Sequence, residues 1–251
     1  MDDHGCLDVC RQLGAAAIGR NTLSYPLKFG LLVAAVACGA TGVALASSQF
    51  SSTVTFTYSS EISGSPSGFD SFATFDDPGE PFGKPKELFR IRVGFHPGTR
   101  IDTAALPRCR ASDTHVRLLG LPACPASTRL GIVHAEAVTS TGFHVNPIGH
   151  LFNARRAIIV VVTIDGRYIT SFRDDLTRDM LTVNFRIPTG ISLIRFRPHI
   201  PNHFRKRAGK RRAYMTTPPS CPASGVWTTS VVFIFRDGST DEHSDPTPCR
   251  R

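Results

Sequence analysis

Six cations stand within eight positions, at Arg205, Lys206, Arg207, Lys210, Arg211 and Arg212. Such density draws polyanions, whether anionic lipid headgroups, phosphate-bearing polymers of a cell envelope or nucleic acid. Only Phe204 and Tyr214 adjoin the run, so stacking surface for bases is thin. A solvated basic loop, or a cleavage site for a trypsin-like protease, is the plainer reading of the same residues.

The remaining reactive side chains are scattered. His134 and Glu136 share the parity of one strand and form the best His–carboxylate pair for acid–base work, although such pairs are common in β-rich chains. His199 and His203 are separated by Pro201, so they cannot share a helical face as zinc-protease histidines do. His144 and His150 flank Pro147 in an expected loop. Asp174, Asp175 and Asp179 cluster in a turn-like DDLTRD, where Arg173 and Arg178 favour a salt-bridged turn over a Ca²⁺ loop. Gly64-Ser65-Pro66-Ser67-Gly68 places Pro where a nucleophile elbow needs Ser, and the chain carries no P-loop and no dinucleotide fingerprint. These patterns give no catalytic constellation, no metal site and no cofactor, so a non-catalytic protein is expected.

Residues 1–46 read as an export signal. Lys28 precedes Phe29 to Ala46, an uncharged apolar stretch, and Ala44-Leu45-Ala46 before Ser47 offers the small side chains a signal peptidase accepts. An uncleaved membrane anchor is the alternative, with lipid modification of Cys38 behind it. Removing 1–46 takes away equal numbers of acidic and basic residues, so the net charge of +9 belongs to the exported part.

Cys6, Cys10 and Cys38 lie in that leader, which leaves Cys109, Cys124, Cys221 and Cys249. An even number in an oxidising compartment reads as two disulfides, with three connectivities open. The local pairing, Cys109 to Cys124 and Cys221 to Cys249, is favoured because each pair brackets a self-contained segment. The spacing suits zinc poorly.

The elements that must position these residues are short strands. Seventeen Phe, with many Val, Ile and Thr interrupted by Pro and Gly, give the composition of strands and turns. Residues 47–86 read as a Ser/Gly/Pro-rich extension holding one strand, Thr53 to Tyr58, and then a surface loop. Strands are expected at Glu87 to Phe95, Arg129 to Val138, Ala157 to Ile164, Arg167 to Phe172, Met180 to Ile187, Ile191 to Arg197, Ala213 to Thr216 and Val226 to Arg236. The unbroken AIIVVVTI of Ala157 to Ile164 must be buried on both faces. Asp165-Gly166 predicts a two-residue hairpin, and the parity change between Leu193 and Ile194 predicts a bulge. Asp102 and Ser112 or Asp113 are expected caps of short helical turns. A loop over 198–212 and a polar tail after Gly238 complete the chain. This adds up to an all-β fold over 87–251, an antiparallel β-sandwich of immunoglobulin-like or Greek-key type with a short helical insertion; an open barrel is the alternative.

The segments Leu106-Pro107-Arg108-Cys109, Cys124-Pro125-Ala126-Ser127 with Leu130-Gly131, Cys221-Pro222-Ala223-Ser224-Gly225-Val226-Trp227, Phe235-Arg236-Asp237-Gly238 and Pro248-Cys249 carry a Cys-Pro punctuation. In this the chain resembles a group of uncharacterised secreted β-rich proteins of actinomycete-like, high-GC bacteria. The resemblance implies a disulfide-tied extracytoplasmic domain and brings no catalytic residue. The expectation is therefore a secreted or envelope-associated interaction module, with the six-cation run as its polyanion-binding surface. A secreted glycan or ester hydrolase using His134 and Glu136, or a membrane-anchored surface protein, is the alternative.

Overall fold

The computed structural model describes residues 50–177, 179–207 and 210–251. The segment expected to direct export, with Cys6, Cys10 and Cys38, lies outside the described residues. The first strands are β1 (Ser51–Tyr58), β2 (Pro66–Ser67), β3 (Phe69–Asp76), β4 (Leu88–Gly94) and β5 (Arg100–Ile101). Helix α1 (Asp113–Leu119) precedes β6 (Arg129–Thr139), β7 (His144–Val145), β8 (Ile148–Ala154), β9 (Ala157–Ile164) and β10 (Arg167–Leu176). Then come β11 (Met180–Asn184), β12 (Ile191–Ile200), β13 (Phe204–Arg207), β14 (Lys210–Ala213), β15 (Met215–Thr216), β16 (Val226–Phe235) and β17 (Thr240–Pro248).

The all-β expectation holds, and the layering is different from a sandwich. One sheet runs β1-β3-β12-β6-β8-β9-β10-β11-β4-β16-β17, with β7 appended to β6. Its two ends come back together, so the sheet is nearly a barrel. Two seams interrupt its backbone ladder. Between β10 and β11 the ladder has only two residue pairs, Asp175 with Thr182 and Leu176 with Leu181. Between the end strands β1 and β17 the bonds are made by side chains. Ser52 Oγ donates to Asp241 Oδ2 at 2.6 Å, the Phe56 amide donates to Asp245 Oδ2, and Thr247 Oγ1 donates to the Phe56 carbonyl at 3.0 Å.

Local chemistry set most elements as expected. Asp165 and Gly166 both take positive φ, 50° and 75°, which is the primed turn that matches strand twist, and Ile164 pairs with Arg167 across it. The register of β12 on β6 shifts between Leu193 and Arg195, the predicted bulge. Ser112 caps α1 by accepting from the His115 amide. Both local disulfides form, Cys109–Cys124 and Cys221–Cys249, with Cα separations of 5.1 and 5.7 Å.

Strand β9 is buried on both faces for two reasons. Ile158, Val160 and Val162 point into the barrel, whereas Ile159 and Val161 pack outward under Val116 of α1 and the Cys109–Cys124 bridge. Asn153, fully buried in β8, holds the same insertion from below. Its side-chain amide donates to the carbonyls of Thr103 at 3.0 Å and Pro107 at 2.8 Å, and its backbone carbonyl accepts the Cys109 amide at 2.7 Å.

Four segments read as loop or tail are strands. The stretch assigned to an extension contains β3, which lies between β1 and β12 and buries Phe69, Ala73 and Phe75 while Asp70, Phe72 and Thr74 face outward, so the sheet begins near Ser51 and not at Glu87. The segment around Pro147 contributes β8. The basic run is a β-hairpin, β13 with β14. The polar tail is β17, whose Asp241, Asp245 and Thr247 make the seam with β1. Pro246 and Pro248 are tolerated there because a seam made by side chains needs no N–H from them. The helical turn expected near Asp102 is a tight turn, in which Asp102 Oδ1 accepts the Ala104 amide.

Candidate functional site

The barrel interior holds a cavity of about 170 Å³. Strand alternation makes it apolar: each wall strand turns its Val, Ile, Leu and Phe residues inward. Inner residues such as Val133, Ala135, Val162 and Val183 are only partly buried, because the core does not meet in the middle. One end is filled by Tyr58, Phe95, Tyr214, Met215 and Trp227, which form one cluster with Phe56 and Phe69. At the other end the lining reaches the surface around the β9–β10 turn and residues 185–191, where Ile169 is 46% exposed.

The lining contains one ionisable side chain, Asp174, at 3% exposure. Phe172, Asp174 and Leu176 alternate inward on β10, so the carboxyl takes a core position. It sits where β10 and β11 part, and its Oδ1 accepts the Asn184 amide at 3.2 Å, replacing a ladder bond that the divergence removes. Burial pushes its pKa well above the ordinary carboxylate range; the Asn184 amide opposes this and the neighbouring Asp175 adds to it. Among the described residues, no Lys, Arg or His lines the cavity.

The six cations lie on the β13–β14 hairpin. The register sets Arg205 opposite Arg212, Lys206 opposite Arg211 and Arg207 opposite Lys210, three cross-strand pairs of like sign. Arg205, Lys206, Arg211 and Arg212 are exposed. Arg212 is anchored by Asp102 at 2.6 Å, and the Arg211 guanidinium lies 4.3 Å from the centre of the Phe204 ring.

The expected acid–base pair is not assembled. His134 and Glu136 project from the outer face of β6, opposite to the cavity-lining Val133, Ala135 and Ala137. Glu136 is engaged by Arg195 at 2.6 Å and by His144 at 3.2 Å. His199 pairs with Asp70 and His203 meets the Leu130 carbonyl, both at 2.7 Å. DDLTRD is a turn only in its second half, where the Thr177 amide donates to the Met180 carbonyl at 2.9 Å; Asp174 faces inward and Asp175 outward from the end of β10, while Arg173 reaches Asp113 at 3.0 Å. No group of metal-ligating side chains occurs among the described residues.

One constellation has no signal in the sequence. Ser52, His243 and Asp241 meet at the β1–β17 seam, with Ser52 Oγ 2.7 Å from His243 Nε2 and Asp241 Oδ2 3.3 Å from the same nitrogen. A relay needs the acid on the other ring nitrogen. Here acid and hydroxyl compete for one atom, so the trio fastens the seam. The 189 residues separating Ser52 from Asp241 hide it from any local motif.

No family model and no curated protein matches the chain. Among solved structures, a DUF4466 family protein from Parabacteroides merdae ATCC 43184 is similar at 11% identity and a TM-score of 0.32. The match covers 78% of this chain, which spans 43% of that protein's length.

Proposed function

We propose that the protein is a non-catalytic extracytoplasmic interaction module that engages a phosphate-bearing envelope polymer through the β13–β14 hairpin. The observation that carries this is the like-charge register of that hairpin. Like charges directly opposite on a two-stranded ribbon destabilise it, and Asp102 offsets only Arg212. A polyanion laid along the ribbon relieves the repulsion and gains charge-assisted hydrogen bonds from the guanidinium groups. The two disulfides support an oxidising compartment, in line with the export segment and the resemblance noted above. No helix among the described residues is long and apolar enough to cross a membrane.

The test is retention of the oxidised protein on immobilised polyphosphate over a salt series, beside a variant with all six cations replaced by Ser. Retention that weakens as salt screens the charges, and that the variant lacks, is the expected result. Equal retention of the variant overturns the assignment to the hairpin. Capture only by anionic vesicles transfers the partner from polymer to lipid headgroup.

A further inference from the structure

We propose that the barrel interior is a binding site for a small lipophilic amine, its apolar body in the cavity and its ammonium on Asp174. Three observations carry this, none of which involves the hairpin. The cavity of about 170 Å³ is of the size that accepts a benzene-sized molecule in other apolar interiors. Its wall is apolar apart from Asp174 and the hydroxyls of Ser71 and Thr170, so shape and hydrophobic burial favour an uncharged body. Among the described residues, Asp174 is the one carboxyl in that wall, and no basic side chain lines the cavity to neutralise it. A carboxyl so buried either keeps its proton or pairs with a cation, and the described lining supplies no cation.

The second oxygen, Oδ2, has no hydrogen-bond partner among the described residues, because the backbone amide of Asn184 occupies Oδ1. An ammonium donates to acceptors only, and Oδ2 is an acceptor left for it. A carboxylate ligand would carry its charge into an apolar wall that offers it no cation, and an alcohol gains one neutral hydrogen bond. The further charge that acts on Asp174 is Asp175, on the outward side of the same strand, which adds attraction for a cation. Entry is from the β9–β10 turn and the 185–191 segment, whose Ile164, Ile187 and Ile191 continue the apolar lining to the surface.

Binding couples to a proton. The buried acid holds its proton above the ordinary carboxylate range when the cavity has no cation in it. An ammonium ion that docks on Oδ2 stabilises the carboxylate, so the acid proton passes to solvent as the ion pair forms. Charge balances: a protonated acid and an ammonium ion give a paired carboxylate, an ammonium and one released proton.

The experiment is isothermal titration of the oxidised full chain with benzylamine, benzyl alcohol and benzoate in two buffers of different ionisation enthalpy. Benzylamine is expected to bind at least about tenfold tighter than benzyl alcohol, benzoate not measurably, and only benzylamine to show a buffer-dependent heat. Asp174→Asn, which keeps the Oδ1 acceptor for Asn184, abolishes the preference and the buffer dependence while benzyl alcohol still binds. Ala135→Phe fills the cavity and abolishes binding of both, its fold checked by near-ultraviolet circular dichroism. Equal affinity for amine and alcohol without proton release, or binding of neither by the folded protein, overturns the inference. Both outcomes leave the hairpin reading untouched, since none of its six cations lines the cavity.

Discussion

Replacing Asp174 by Asn isolates the energetic cost of one buried acid. The folded pKa is raised, so the native protein keeps a proton that the unfolded chain has already lost. The sign follows: the stability associated with this group is fully present below the ordinary carboxylate range and is lost as pH rises through the raised folded value. Across that window the slope is one proton's worth, about 1.4 kcal/mol per pH unit. The substituted carboxamide never ionises, offers the Asn184 amide the same acceptor, and leaves its NH2 group, with two N–H donors, facing the apolar wall at a cost independent of pH. The difference in unfolding free energy, variant minus wild type, therefore rises with pH through the window and is flat on either side. Subtraction cancels every other titrating group common to the two proteins. Urea unfolding at intervals from pH 4 to pH 8 measures it, with Trp227 as the probe: it is the chain's one Trp and fully buried. A difference that stays constant over this range, or grows as pH falls, refutes the placement of Asp174 as a desolvated acid.

Two further outcomes follow from the wall and its insertion. Gly131→Ala drives a Cβ into the His199 carbonyl oxygen of the adjacent strand, whereas at Gly149 the nearest atom is the Val133 Cβ at 3.2 Å; the first substitution is expected to cost about 1–3 kcal/mol and the second less, read from urea midpoints. Replacing Cys109 and Cys124 together by Ser releases a loop with a sequence separation of 15 and should lower stability by about 3 kcal/mol in the chain-entropy picture, seen as a lower melting temperature. Because Asn153 still ties the segment to β8, β8 and β9 are expected to keep their amide hydrogen-exchange protection in that variant.

Much of the chain was legible because its physics is local. A positive φ at Asp165-Gly166, the cap at Ser112, the alternation of Leu181 and Val183 and the parity slip at Leu193 each depend on neighbours within a few residues, and each appears where the sequence places it. Strand β3 escaped because it lies within a Ser-, Gly- and Pro-rich stretch and half of its residues are Ser, Asp and Thr, although Phe69, Ala73 and Phe75 alternate inward. Strand β17 escaped for a deeper reason: its buried-side residues are Asp, His and Thr, and they satisfy β1 by hydrogen bonds where apolar residues would have packed.

The sequence by itself determined that the chain is all-β and that six cations fall in one short segment, because composition and turn chemistry suffice for each, and it favoured the local cysteine pairing among three that the structure then decided. Only the tertiary structure decided that the strands form one nearly closed sheet, that the cations oppose one another on a ribbon, and that Asp174 stands alone in an apolar interior while Glu136 faces outward. Inside and outside are properties of closure, set by contacts between residues more than a hundred positions apart in the chain, such as Ser52 with Asp241 and Asn202 with Pro66. Alternation along a strand says that two faces differ; which of them encloses a cavity is fixed when β1 meets β17.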